Sequence, residues 1–326
     1  MELFMTSVVS NEVDTQIKTV RYTRQLSGLW DGWLDAAKNG HFMFFRNYME
    51  YHQHRFEDHS LMFFQDGNLL GIMPANQVDA SLISHGGLTF GGIVTQVSMR
   101  TPLMIGIFDA LLEYLRANGL KKLRYKAMPY IYHTVPADED LYALFRYDTR
   151  IVRRDVSSTI RLDYRLPYSK GRKHSLKLAE KHGLTVSESA DFSRFMALET
   201  DVLARKHKTR PVHSAEEITL LAKRFPDNIK LFTAYKAGEL LAGVITYDTQ
   251  WVSHAQYMAA SQDGQAVGAL DLIVDTILRQ HCQSKRYFDF GISTENEGRF
   301  LNEGLVAQKE MFGARSVLYD TYELEL

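Results

Sequence analysis

Short apolar runs at Ser60–Phe64 and Leu69–Pro74 flank Gln65-Asp66-Gly67-Asn68, a pattern that predicts a β-hairpin. Asp79–His85 continues the strand character, and the glycine pairs of Gly86–Gly92 interrupt it. Leu103–Asn118 carries apolar residues at helical spacing, with Pro102 at its start and Gly119 just past its end. Lys122–Met128 reads as a strand stopped by Pro129. The same order then returns. Ile229–Tyr235 and Leu240–Tyr247 flank the turn Lys236-Ala237-Gly238-Glu239, Trp251–Ala260 is a strand, Gly268–Gln283 a helix and Arg286–Ile292 a strand. Ser84-His85 in the first series has a counterpart in Ser253-His254 of the second. One series of elements met twice predicts two copies of one α/β unit, with a cleft between them.

The remaining segments fill in around the two copies. Residues 1 to about 20 read as a frayed start or an edge strand. Leu29, Trp30, Trp33, Leu34 and Ala37 give an amphipathic helix that stops at Asn39-Gly40, and Leu141–Arg146 a short one. Val156–Asp163 alternates as a strand that carries the chain into the second copy. A basic helix, Ser169–His182, follows and ends at Gly183. Thr185–Ser189 is a strand, and Phe192–Lys206 and Ala215–Phe225 are helices. Glu303–Phe312 is a last helix closed by Gly313, and Ser316–Leu324 a closing strand. The expected division is a first module at residues 1–156 and a second at 157–326, with the closing strand packing across the boundary.

Composition narrows the class. At 326 residues the chain accommodates two domains, each with its own core. Lysine and arginine number 38 against 39 acidic residues, so no net field argues for DNA or an acidic membrane. The single cysteine, Cys282, excludes an intrachain disulfide and fits a reducing compartment. The start lacks a basic stretch ahead of a long apolar one, and Leu103–Leu115 is too short to span a bilayer, so a cytoplasmic protein without membrane insertion is expected. Tyr51-His52-Gln53-His54, with Asp58 and His59, fits no zinc-ligand spacing, and no metal is expected.

Three stretches carry a family resemblance: the basic helix running into a glycine and a strand, Ser169–Val186; Tyr287-Phe288-Asp289-Phe290-Gly291; and Lys309-Glu310-Met311-Phe312-Gly313. With the order of elements, they resemble the GNAT acyltransferase fold in tandem, as in the Fem-type aminoacyl transferases and related GNAT-like acetyltransferases. The resemblance covers most of the chain and is strongest from about Ile160 onward. It implies an α/β (α+β) fold of two tandem GNAT-like modules, each a mixed, mostly antiparallel sheet flanked by helices. It also implies acyl-CoA (acetyl-CoA) as donor, held by the second module, with the acceptor on the first.

Particular residues follow as candidates. The GNAT diphosphate loop has Gln or Arg, two residues, Gly, one residue, then Gly or Ala. Here Gln265, Gly268 and Ala269 occupy that stretch, with Leu270 departing from the pattern at its last position. The first module's counterpart, Arg100-Thr101-Pro102-Leu103, has no glycine. Lys309 shares a helix face with Leu305 and Phe312, and the resemblance implies a lysine there that stabilises an oxyanion. Asp289 alternates with Phe288 and Phe290 and so faces away from them. It would serve as a base for an acceptor amine, orient Lys309, or cap a turn. His254 would take the acceptor proton, or be a hydrogen-bonded strand residue. His85, Gly86, Gly87, Lys126, Tyr132 and His133 form an expected acceptor pocket, and Arg172 on the basic helix a phosphate contact. Three functions remain open: an N-acyltransferase using acyl-CoA on an amino sugar or cell-envelope precursor; a Fem-type transferase using aminoacyl-tRNA; and a non-catalytic cleft-binding protein.

Overall fold

The structure is a computed structural model, and it describes residues 16–326. The start expected to fray lies mostly outside the described residues. In chain order the first half contains β1 (Lys18–Arg21), α1 (Ser27–Asp35), α2 (Arg46–Met49), β2 (Glu57–Asp58), β3 (Leu61–Gln65), β4 (Asn68–Met73), β5 (Asn76–Val78), β6 (Ser81–Ile83), α3 (Thr101–Ala117), β7 (Lys122–Lys126) and α4 (Glu139–Arg146). The long strand β8 (Arg150–Arg161) leads into α5 (Lys170–Lys181), β9 (Thr185–Ser189), α6 (Phe192–His207), α7 (Ala215–Arg224), β10 (Ile229–Lys236), β11 (Glu239–Asp248) and β12 (Val252–Ala260). Then come α8 (Gln262–Ala266), α9 (Ala269–Thr276), β13 (Tyr287–Ile292), β14 (Thr294–Glu295), β15 (Phe300–Leu301), α10 (Glu303–Glu310) and β16 (Arg315–Glu325).

Eleven of these strands form one sheet in the order β2-β5-β6-β7-β16-β8-β13-β12-β11-β10-β9. The repetition seen in the sequence is present in it. In each half a strand, a helix and a second strand give one parallel pair: β6 with β7, where Ile83 faces Arg124, and β12 with β13, where Val252 faces Tyr287. The halves are joined through β16, which pairs antiparallel with β7 on one side and β8 on the other. The expected boundary at residue 156 falls inside β8.

Three expectations are corrected. The first hairpin, β3–β4, pairs with β1 in a separate three-stranded sheet. Pro74, just after β4, lacks an N–H and breaks the ladder before β5, whereas β11 and β12 contain no proline and remain in the main sheet. The helix expected at 268–283 begins at a left-handed corner at Gly268 (φ 73°), which follows a separate α8, and runs as α9 and a π-helical turn at Ile277–His281. The modules also do not keep wholly separate cores. One apolar cluster lies in the first (Leu61, Phe108, Leu123) and one in the second (Ala242, Ile273, Phe288). A third spans both, with Trp30, Phe42, Tyr48 and Tyr132 packed with Phe195, Ile245, Tyr247 and Tyr319. Phe42 meets Phe225 and Tyr247 at centroid distances of 5.6 and 5.2 Å, so part of the expected cleft is packed shut by aromatic rings. Each such ring stabilises the fold by roughly 1.5–3 kcal/mol through burial.

Candidate active site

Asp289 lies at the middle of the seam. Strand alternation sends Phe288 and Phe290 into the second module's core and turns Asp289 to the opposite face, where it is fully buried. Register then brings the neighbours. In β12, His254 stands directly beside Asp289, and in β8, Thr159 does so on the other side. Ser157 and Thr159 donate to Asp289 Oδ1 at 2.6 and 2.7 Å. His254 Nδ1 and the Tyr319 hydroxyl donate to Oδ2 at 2.8 and 2.7 Å. Tyr132 reaches the same group, 3.1 Å from the Tyr319 hydroxyl.

Burial alone would raise the Asp289 pKa. The hydrogen bond and charge of His254, with the bonds from Ser157 and Tyr319, override it and hold the carboxyl at about 2. Burial, then the charge on Asp289, pushes the Tyr132 and Tyr319 phenols well above their ordinary value, so both stay protonated. A carboxylate can only accept, so Nδ1 of His254 carries a proton, and in the neutral ring Nε2 is the acceptor. The His254 ring borders a space of about 10 Å³ walled by His41, Thr89, Phe90, Tyr132 and Gln256, room for about one small group. His41 beside it stays neutral, because burial and then the His254 charge lower its pKa to about 3.

Lys309 is buried, and all three of its protons have partners: Gly291 O at 2.8 Å, Ile292 O at 2.9 Å and Ser293 Oγ at 2.8 Å. It therefore fastens the end of β13, two to four residues beyond Asp289. Burial lowers its pKa to about 8, against the raising influence of Asp289. The expectation that Asp289 orients Lys309 is corrected, since the carboxylate is taken up by His254, Ser157, Thr159 and Tyr319. The apolar stripe is also weaker than expected, because Leu305 is exposed.

The donor-loop residues are held locally. The Gln265 side chain donates to Ala260 O at 3.0 Å. Gly268 is required by packing, because a Cβ there would stand 2.6 Å from Ser175 O of α5. Ala269 is buried as the first residue of α9. Arg172 donates to Asp271 at 2.6 Å and Gln308 O at 3.1 Å, with its guanidinium over the Phe312 ring. It ties α5 to α9 and α10 rather than standing open to a phosphate, while Lys170, Lys173, Lys177 and Lys181 are exposed.

The acceptor-side residues divide. A second space, about 380 Å³, lies between the modules and is lined by Gly86, Thr89, Lys126, Arg153, Asp155 and Tyr319, among others. Thr89 lines both this space and the His254 pocket. His85 is buried against His52 and Phe56, and a Cβ on Gly87 would strike Phe56 at 2.5 Å, so that glycine serves packing. His133 turns toward Asp138, 3.9 Å away, and burial lowers its pKa. Ser157, Thr159 and Tyr319 escaped the sequence reading. Their signal, hydroxyls on the polar face of alternating strands, appears only once register is known. His59 bonds to Gln77 and Tyr114, and no group of three potential metal ligands is clustered among the described residues.

This arrangement, two parallel strand–helix–strand units fused into one sheet with a polar centre at the seam, defines a tandem GNAT fold. Residues 169–299 match the family model described as Acetyltransferase (GNAT) domain. The chain is similar in structure to FemX (12% identity, 95% of this chain and 97% of that one, TM-score 0.65). It is also similar to L-PGS from Bacillus licheniformis (13%, 81% and 83%, 0.57) and to a tandem GNAT protein from the clavulanic acid biosynthesis pathway (11%, 95% and 98%, 0.52). No curated protein matches by sequence.

Proposed function

We propose that this chain is an N-acyltransferase that moves an acyl group from acyl-coenzyme A to the amine of a polar acceptor, such as an amino sugar, bound between the modules. The observation that carries the reading is the His254–Asp289 pair at the seam, with the His254 ring bordering a space that fits one small group. The amine nitrogen attacks the thioester carbonyl carbon, the carbon–sulfur bond breaks as coenzyme A leaves, and His254 receives the amine proton. Asp289 holds the ring's tautomer and supports its positive charge. The oxyanion role implied for Lys309 requires it to release one of its three hydrogen bonds. We assign it instead to fixing the strand end beside Asp289.

The GNAT family match over 169–299 supports the coenzyme A donor. A second reading, transfer from aminoacyl-tRNA, is favoured by the local engagement of Gln265 and Arg172, which leaves the diphosphate loop without a polar side chain turned to a ligand. Calorimetry with acetyl-coenzyme A separates the two. Saturable binding that Gly268→Trp abolishes, with kcat in His254→Ala reduced about 100-fold or more, is the expected result. Absence of binding together with transfer from charged tRNA establishes the second reading, and turnover with neither donor leaves only a binding protein.

A further inference from the structure

The parallel strand pairs give the two modules a common frame. Ile83 pairs with Arg124 as Val252 pairs with Tyr287. Two residues beyond these pairs stand His85, past the end of β6, and Lys126 in the first module, and the paired His254 and Asp289 in the second. The histidine recurs, but the anion of the second module is replaced by a cation in the first.

That cation lines the cavity of about 380 Å³ between the modules. Its other basic walls are neutralised: Arg124 by Glu323 at 3.0 Å, and Arg153 by Asp155 at 2.5 Å. Asp155 is further occupied by the Thr294 hydroxyl at 2.7 Å. Lys126 donates only to the neutral carbonyl oxygens of Leu88 and His85, the latter at 3.2 Å, and among the described residues no carboxylate forms an ion pair with it. Burial and then the charge of Arg153 lower its pKa to about 8, against the raising influence of Asp155, which forms no ion pair with it. The remaining acidic residues of the lining are Asp320, paired with Arg154 at 2.7 Å, and Glu297, exposed on the turn after β14. An ammonium held against carbonyls at the wall of a cavity is completed by an anion that enters the cavity.

We infer that the acceptor carries an oxyanion, carboxylate or phosphate, which Lys126 receives in the inter-module cavity. The first module thus uses the strand position of the second module's carboxylate as a recognition seat. Naming the ligand as acceptor rests on the N-acyltransferase reading, but the site is tested by binding alone, without a donor. Calorimetry compares glucosamine with glucosamine 6-phosphate and 2-amino-2-deoxyglucuronic acid, which separate the phosphate and carboxylate sources. At least one acidic sugar is expected to bind about tenfold or more tightly than glucosamine. That advantage is expected to disappear in Lys126→Met and to persist in Lys177→Met, a change on the exposed face of α5. Thr89→Glu places a negative charge on the exposed cavity wall without disturbing the core and is expected to weaken the same binding, so it decides the matter if Lys126→Met does not fold. Equal affinity for all three sugars, no binding of either acidic sugar, or unchanged affinity in Thr89→Glu overturns the inference. Anion binding without any acyl transfer would instead refute the proposed reaction and leave this site standing.

Discussion

A carboxylate with no exposure to water is costly to keep charged unless its lone pairs are met, and Asp289 meets its own with four donors drawn from three other strands. The consequence for pH has a definite sign. The folded-state pKa, about 2, lies below the ordinary 3.8. Asp289 therefore contributes stability that is fully present above about pH 4 and is lost as pH falls through about 2. The amount is on the order of 2 kcal/mol. Denaturant titrations of wild type and Asp289→Asn from about pH 6 downward should show the wild-type advantage shrinking across that window. At neutral pH, Asp289→Asn should lower kcat about 100-fold or more, because the imidazole loses both its tautomer lock and its counter-charge. Much of this centre was legible in the sequence. Period-two alternation turned Asp289 away from two phenylalanines, and His254 stood out on a strand. Ser157, Thr159 and Tyr319 were not legible, because a hydroxyl on a strand becomes a partner only through pairing register, which the local pattern does not contain. Arg172 was misread for a related reason: a basic helix looks alike whether its arginine meets a ligand or, as here, Asp271 of a neighbouring helix.

Among the elements, the short glycine corners impose the tightest constraints. Gly264 within α8 packs so closely on β11 that a Cβ would stand 2.2 Å from Leu241 O, a contact with backbone that cannot swing aside. Gly264→Ala should push α8 off the sheet and lower stability by about 2 kcal/mol or more, read as a fall in Tm. Gly238, in the β10–β11 turn, has open space around it, although its φ of 83° still disfavours a side chain. In the sequence both are simply glycines, and only packing distinguishes a turn glycine from one pressed against a carbonyl. The same limit explains the second-module helix. Apolar spacing runs through 268–283, but it does not report the left-handed corner at Gly268 or the π-helical turn that follows α9. Elements with a local signature, such as α3 with its proline start and the β10–β11 hairpin, fell close to where the pattern put them.

For the molecule as a whole, the two modules share one sheet and one of three apolar clusters. A single denaturant transition, coincident by far-ultraviolet circular dichroism and tryptophan fluorescence, is therefore expected. Ending the chain after Ala314 removes β16, bares the edges of β7 and β8 and deletes Tyr319. The truncated chain should aggregate, or at best lose that cooperativity, as judged by light scattering and the same titration. The duplication was visible in the sequence because it repeats local patterns; the fusion was not, because it depends on pairing between distant segments. Leu123 of β7 lies opposite Leu324, about 200 positions later. A nascent polypeptide emerging from the ribosome therefore holds an unfilled gap between β7 and β8 from the time β8 is made, near the chain's midpoint, until β16 follows. Asp289 receives its tyrosine donor only after that gap is closed, so its buried carboxylate is fully satisfied only once the sheet is assembled.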